Sequence, residues 1–368
     1  MAGGGSGVEA PTSEETTAYV AAIFGGRPFR GAAALGAGVL TRRELAGRFS
    51  RVFPGVYAAG AGELEATLLV RAAGLWAPAG TGACGFAAAA LHGERSFAAA
   101  CVHGVVDLLS SSRPQAPPGI RVRFAREHGP GARGHAVDGT PCTSPARTAV
   151  DLLRWIDDDE VAIAVTDSLC NSTRTPLPDV AAAALAMRPA HGVSRALGRL
   201  PRCDPRADSP PETRLRLAMG RHGLPVPDLQ FGVVDLDGRL LATPDLGYRW
   251  CRLALFYDGR EFHRGEQGQY DAYVTARMSE LGWEVMRVTD RMAASEPVLM
   301  RQIRAAVRRQ IDRGHAAGSP ELHRLGERWR EGGRPAGSRV GGSALGDSLG
   351  GSALGAPPGC GAREATRS

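Results

Sequence analysis

The chain has 368 residues with a formal net charge of +6; 43% of its residues are hydrophobic and 22% charged, enough apolar content for sizeable cores and too much for wholesale disorder. Its basic balance comes from arginine alone, since no lysine occurs, so every mechanism that needs a lysine is excluded: a Walker lysine, a Schiff base, a lysine general base. Seven scattered cysteines without a C-x-x-C pair argue against a disulfide framework or structural zinc site and fit a reducing cytoplasm. No apolar run approaches the roughly 20 residues of a membrane span. The start MAGGGSGVEAPTSEE lacks the basic and apolar regions of a secretory signal.

Residues 1–12 read as a flexible start. A first block, 13–97, is mostly helical, with helices predicted over Leu64–Trp76 and Gly85–Leu91. Inside it, Thr41 and Glu44 have the spacing of a capping box, which starts a helix with Leu40 and Leu45 facing inward. Arg51–Tyr57 (RVFPGVY) then reads as a short strand turned by Pro54-Gly55, the shape of a wing. Residues 27–57 carry six arginines against the single acid Glu44, and a basic helix followed by a basic hairpin suits phosphate contact and groove entry.

The second block, 98–206, is mixed. Gly119–Phe124 (GIRVRF) alternates like a strand, while Pro145–Trp155 and Val180–Met187 read as helices. Thr143, Ser144 and Arg147 are assigned to helix capping and packing. His92, His103, His128 and His135 show no metal-ligand spacing along the chain. The stretch 200–208 (LPRCDPRAD) reads as a linker.

The third block, 207–315, has the sharpest pattern. Ser209 and Glu212 form a second capping-box spacing, with Pro210 and Pro211 in the first turn and Gly223 as the stop. Asp237-Gly238 marks a hairpin between two apolar runs. Cys251–Asp258 is a strand, Gln267–Leu281 a helix, Trp283–Val288 a strand and Glu296–Arg313 a helix, giving the order α-β-β-β-α-β-α. Asp271 and Arg277 on the helix read as a surface pair. Residues 332–368 are Gly/Ser/Pro-rich, with GGSALG at 341–346 and 350–355, and read as a disordered tail.

The pieces PPETRLRL, PDLGY, LFYDGREFH and SELGWEVMRV occur in order over about 207–310. In this region the chain resembles the very-short-patch-repair (Vsr)-type endonuclease domains of the restriction-endonuclease-like fold. The resemblance implies a metal-dependent phosphodiesterase site with Glu212, Asp245 and Asp258 as catalytic, Mg2+-binding carboxylates and His263 assisting proton transfer. A hard cation wants such oxygen ligands, lowers the pKa of its water and neutralises phosphate charge. Where the family has a second glutamate this chain has Phe256, a departure that implies weakened cleavage. Strand alternation puts Phe256 and Asp258 on one face and Tyr257 on the other.

The stretches VLTRRELAGR and RVFPGVYA, with GTPCTSPARTAVDLL further on, resemble AbiEi-type antitoxins, transcriptional repressors with a winged helix-turn-helix. That resemblance implies DNA contact by Arg42, Arg43, Arg48 and Arg51. The reading is an α/β (α+β) chain with an N-terminal winged helix-turn-helix, a mixed middle domain, a C-terminal restriction-endonuclease-like α-β-β-β-α-β domain and a disordered tail. Its expected role is a cytoplasmic DNA-binding regulator with a weakened nuclease-like domain. The alternatives are an active metal-dependent DNA endonuclease and an antitoxin acting through a toxin partner.

Overall fold

A computed structural model describes residues 25–59, 65–94, 105–125, 131–132, 135–258 and 266–315. The expected flexible start, His263, His103, His128 and the Gly/Ser-rich tail lie outside the described residues. The chain is a mixed α/β protein with several sheets, none of them closed into a barrel among the described residues. Among the described residues no helix is long and apolar enough to cross a membrane.

The first unit runs β1 (Phe29–Arg30), α1 (Gly31–Gly36), α2 (Arg42–Arg48), β2 (Phe49–Phe53) and β3 (Val56–Ala59). The strands form an antiparallel sheet in the order β1-β3-β2. Helix α2 starts where the capping box predicts: the Glu44 backbone N–H donates to Thr41 Oγ1, and the Thr41 N–H donates to Glu44 Oε2 at 2.8 Å. Leu40 and Leu45 face inward with Phe29, Ala34 and Phe49. The Pro54-Gly55 turn closes a β2–β3 hairpin rather than bending one strand, and Gly55 supplies the positive φ of 76° that the turn requires.

The middle of the chain begins with α3 (Ala66–Trp76), β4 (Gly82–Ala83), α4 (Gly85–Leu91), β5 (Val106–Ser110), β6 (Ile120–Phe124), β7 (His135–Val137) and β8 (Thr140–Cys142). Its sheet has the order β6-β5-β4-β8-β7. Four helices follow: α5 (Pro145–Trp155), α6 (Asp159–Thr173), α7 (Leu177–Ala186) and α8 (Val193–Arg199). Ser144 caps α5, Thr143 Oγ1 lies 2.7 Å from Thr148 Oγ1, and Arg147 is buried against Asp151, so these residues cap and pack as expected. Helices α6 and α8 are not predicted by the sequence pattern. Their small residues, such as Ala162, Ala164 and Ala196, are buried against neighbouring helices and leave little amphipathic period to read.

Residues 200–208 do not form a loose linker. A 3-10 turn at Leu200–Arg202 leads to buried Cys203, and the Asp204 N–H donates to Asp167 at 2.7 Å. Asp167 also accepts from Thr213 Oγ1 at 3.0 Å and Arg216 Nη2 at 2.7 Å, which ties α6 to the next helix.

That helix is α9 (Pro210–Arg221). After it come β9 (Asp228–Leu229), β10 (Val233–Val234), β11 (Leu240–Ala242), β12 (Leu246–Tyr248), β13 (Leu253–Asp258), α10 (Glu266–Glu280), β14 (Glu284–Thr289), α11 (Asp290–Ala293) and α12 (Glu296–Asp312). The Asp237-Gly238 hairpin forms as predicted, but β10 and β11 make a sheet of their own. The main sheet has the order β14-β13-β12-β9, with β13 and β14 parallel and α10 as their crossover. One face packs on α9 and α12 through Leu246, Leu253, Leu255 and Val288. The other packs Ala254 and Phe256 against Phe231, Val274 and Met278.

Gly247, inside the PDLGY piece, lies where a Cβ would stand 2.2 Å from the Leu253 carbonyl oxygen and 3.0 Å from the Phe231 ring. The glycine lets β12 run this close to both.

Candidate functional sites

The carboxylate site gathers at the ends of α9, β12 and β13. Ser209 caps α9, and its hydroxyl donates to Glu212 Oε1 at 2.6 Å. The capping box closes one residue early: Glu212 Oε2 accepts from the Asp208 N–H at 2.9 Å, not from the Ser209 N–H that the motif predicts. Its second partner is Gln230, whose side-chain amide donates to Glu212 Oε2 at 3.1 Å and, more weakly, to Asp245 Oδ1 at 3.4 Å. Gln230 has a positive φ of 45°, and its backbone N–H donates to the Asp245 carbonyl at 3.1 Å.

Asp245 stands one residue beyond the Leu246–Leu255 pairing of β12 with β13, and so opposite Phe256. Its Oδ2 accepts from the Tyr257 N–H at 2.7 Å. Burial pushes the carboxyl of Glu212 above its usual range, aided by the charge of Asp245. Asp245 is raised too, first by burial and then by repulsion from Asp208 and Asp258.

Asp258 shares the face of Phe256, as strand alternation predicts, while Tyr257 packs on the opposite core. Asp258 is not drawn to the other two carboxylates. Arg287, paired with Phe256 across the parallel ladder, holds it at 3.1 Å and reaches Asp271 at 3.3 Å. The same guanidinium lies 5.5 Å from the centre of the Phe256 ring. The expected Asp271–Arg277 pair does not form: Arg277 pairs with Glu280, three residues along its helix, and Asp271 turns to Arg287.

Glu212, Asp245 and Asp258 therefore do not fit a Mg2+ ion as arranged. Among the described residues, the one group of three or more potential ligands whose atoms all lie within 4.8 Å of one another is elsewhere, at His92, His135 and Cys142. An amide N–H, which cannot ligate a cation, is shared by Glu212 and Asp245. An arginine neutralises Asp258. His263 lies outside the described residues. Gln230 and Arg287 escaped the sequence reading because neither belongs to a catalytic residue pair at short spacing.

The raised Glu212 carboxyl carries a pH signature. A carboxyl raised on folding binds its proton more tightly in the folded state, so its contribution to stability is complete below the unfolded pKa and is lost as pH rises through the folded one. Relative to wild type, Glu212→Gln is expected to gain stability as pH rises from about 4 towards neutrality. Urea unfolding of both proteins across that range checks it; a constant or falling difference would contradict the assigned burial penalty.

The basic surface lies on the first unit. Arg42, Arg43 and Arg48 are exposed on α2 and Arg51 on β2. Among the described residues no carboxylate pairs with Arg42, Arg43 or Arg51. The other two arginines of this stretch are engaged: Arg30 donates to the Leu75 carbonyl at 2.8 Å, and Arg27 lies 3.7 Å from Asp138. Hydrogen bonds from Thr41 hold the Glu44 carboxyl below its usual range. The one acid of the stretch thus serves its own helix.

No protein-family model matches the chain, and no solved structure matches it. It is 32% identical over 206 residues to "Uncharacterized protein MT2308" of Mycobacterium tuberculosis (strain CDC 1551 / Oshkosh), across 55% of this chain and 74% of the relative. The same figures hold for "Uncharacterized protein Rv2248" of Mycobacterium tuberculosis (strain ATCC 25618 / H37Rv). At that identity and coverage, the chain belongs to the family of these two mycobacterial proteins.

Proposed function

We propose that this protein is a DNA-binding regulator of the AbiEi-like type, whose nuclease-like C-terminal unit is impaired in cutting. The observation that carries the reading is the row of exposed arginines on a capped helix and the hairpin after it, with Arg42, Arg43 and Arg51 lacking carboxylate partners among the described residues. Helix, turn, helix and a β1-β3-β2 sheet in this order suit a winged helix-turn-helix, with α2 as the helix that enters the groove and β2–β3 as the wing. A DNA backbone rewards such a surface through counterion release.

The impaired cutting is supported by the saturated carboxylates: Gln230 between Glu212 and Asp245, Arg287 on Asp258, and Phe256 packed as a core residue. One observation favours the second reading, an active Mg2+-dependent endonuclease of the Vsr-like type. Glu212 and Asp245 stand close enough to share an amide, and this reading requires Gln230 and Arg287 to release the carboxylates that, as arranged, do not fit Mg2+.

The deciding experiment incubates the full-length protein with plasmid and linear DNA in Mg2+ or Mn2+, alongside a binding titration on the same DNA. Binding that weakens steeply with salt, without strand cleavage, is the expected outcome. Cleavage abolished by Asp245→Ala would replace this reading with the endonuclease. Absence of DNA binding would remove both.

A further inference from the structure

The middle sheet places three metal-binding side chains together that lie far apart in the sequence. His92 follows α4, His135 opens β7, and Cys142 closes β8 as the direct cross-strand partner of His135. Their ligand atoms all lie within 4.8 Å of one another. Cys142 Sγ is 4.0 Å from His92 Nε2, and the two imidazole rings are 5.1 Å apart between centroids. His92 and His135, which show no metal-ligand spacing along the chain, thus meet in space. Linear spacing cannot register a meeting of residues that are 43 and 50 positions apart.

We propose that His92, His135 and Cys142 form a binding site for a zinc-class transition-metal ion. The donor set is one sulfur and two imidazole nitrogens, which selects borderline-to-soft metals over Mg2+ or Ca2+. An ion about 2.3 Å from sulfur and about 2.1 Å from nitrogen sets these atoms about 3.6 Å apart at a tetrahedral angle, so the 4.0 Å Sγ–Nε2 separation must close by about 0.4 Å. Three protein ligands leave a fourth position for water or another small ligand.

The surroundings suit each ligand. Burial and the neighbouring His135 lower the pKa of His92, which favours the neutral imidazole that a metal requires. In the metal-free protein His92 Nε2–H donates to the Thr143 carbonyl oxygen at 2.8 Å, and a metal at Nε2 replaces this hydrogen bond. When the metal takes Nε2, the imidazole proton resides on Nδ1. Cys142 is 1% exposed, and burial pushes its thiol up to about 11. A backbone hydrogen bond from Val137 to this sulfur opposes that shift and favours the thiolate. Binding therefore breaks the S–H bond, forms a sulfur–metal bond and releases the thiol proton to solvent. His92 and His135 are half-buried, so an ion has a route in.

The test is a titration of the reduced, metal-stripped full-length protein with Co2+. The expected result is a near-ultraviolet thiolate-to-cobalt charge-transfer band that saturates at one equivalent, disappears when Zn2+ is added, and accompanies release of a proton. Cys142→Ser should remove the band. His135→Ala, at a half-buried strand position, should weaken cobalt binding by roughly tenfold or more, the scale seen when even supporting groups of a metal site are lost. Replacing Cys101 and Cys360 together by serine should leave the band intact. A wild-type cobalt complex without a thiolate band overturns the site whatever the variants do. So does a band that survives Cys142→Ser or needs Cys101 or Cys360.

Discussion

If the proposed DNA-binding role is right, replacing Arg42 and Arg43 together by alanine is expected to lower DNA affinity by roughly 100-fold at low salt. The estimate takes about 1.5 kcal/mol for each charge-assisted contact, roughly a factor of ten apiece. The plot of log affinity against log salt flattens by about 2, because each lost phosphate contact removes about 0.9 from the slope. Both side chains are exposed at the start of α2, whose position depends on the Thr41–Glu44 capping box and buried Leu45 rather than on the arginines. The variant should therefore keep its fold. Fluorescence anisotropy over a salt series, with circular dichroism as the folding control, reads both quantities. An unchanged slope would move the DNA contact to another surface.

Asp151→Ala is expected to destabilise the protein by about 3–5 kcal/mol, the cost of leaving a buried charge without its partner. Asp151 is fully buried in α5, and its Oδ1 accepts from Arg147 Nε at 3.1 Å and from Arg154 Nε at 2.9 Å. The side chains of Arg147 and Arg154 are 2% and 9% exposed. Removing the carboxylate takes from two buried guanidinium groups the acceptor that they share. Such a loss consumes a large part of the stability of an ordinary domain. Denaturant unfolding checks it, with Asp151→Asn expected to fall between the variant and wild type because the amide keeps one acceptor oxygen. A loss below about 1 kcal/mol would mean that water reaches the arginines and that the trio is not held apart from solvent as its burial implies.

Several local signals are legible in the chain because their physics is local. A capping box spans three residues, so the start of α2 is legible from Thr41 and Glu44. Ser144-Pro145 announces α5, whose predicted bounds at Pro145 and Trp155 are those observed. Alternation places Phe256 and Asp258 on one face of β13 whatever packs there. Nearness in sequence misleads where a residue has a choice of distant partners. Asp271 could meet Arg277 on its own helix but finds Arg287 on β14, and residues 200–208 pack because Asp167 draws Asp204, Thr213 and Arg216 together.

The candidate sites divide in the same way. The arginines of α2 and β2, the two capping serine and threonine signals and the acidic motif residues follow from the amino-acid sequence alone, since each depends on neighbours within a few positions. Tertiary structure alone decided how the charges and ligands are used. It put the Gln230 amide between Glu212 and Asp245, gave Asp258 to Arg287, and brought His92 to the strand pair that carries His135 and Cys142. Each of these contacts joins separate elements, so it depends on strand pairing and helix packing that no short stretch of sequence specifies. The absence of lysine has acquired a specific meaning as well. Arginine supplies every side-chain cation of fixed charge, as the exposed row on the first unit, as the buried partners of Asp151 and as the cation that occupies Asp258.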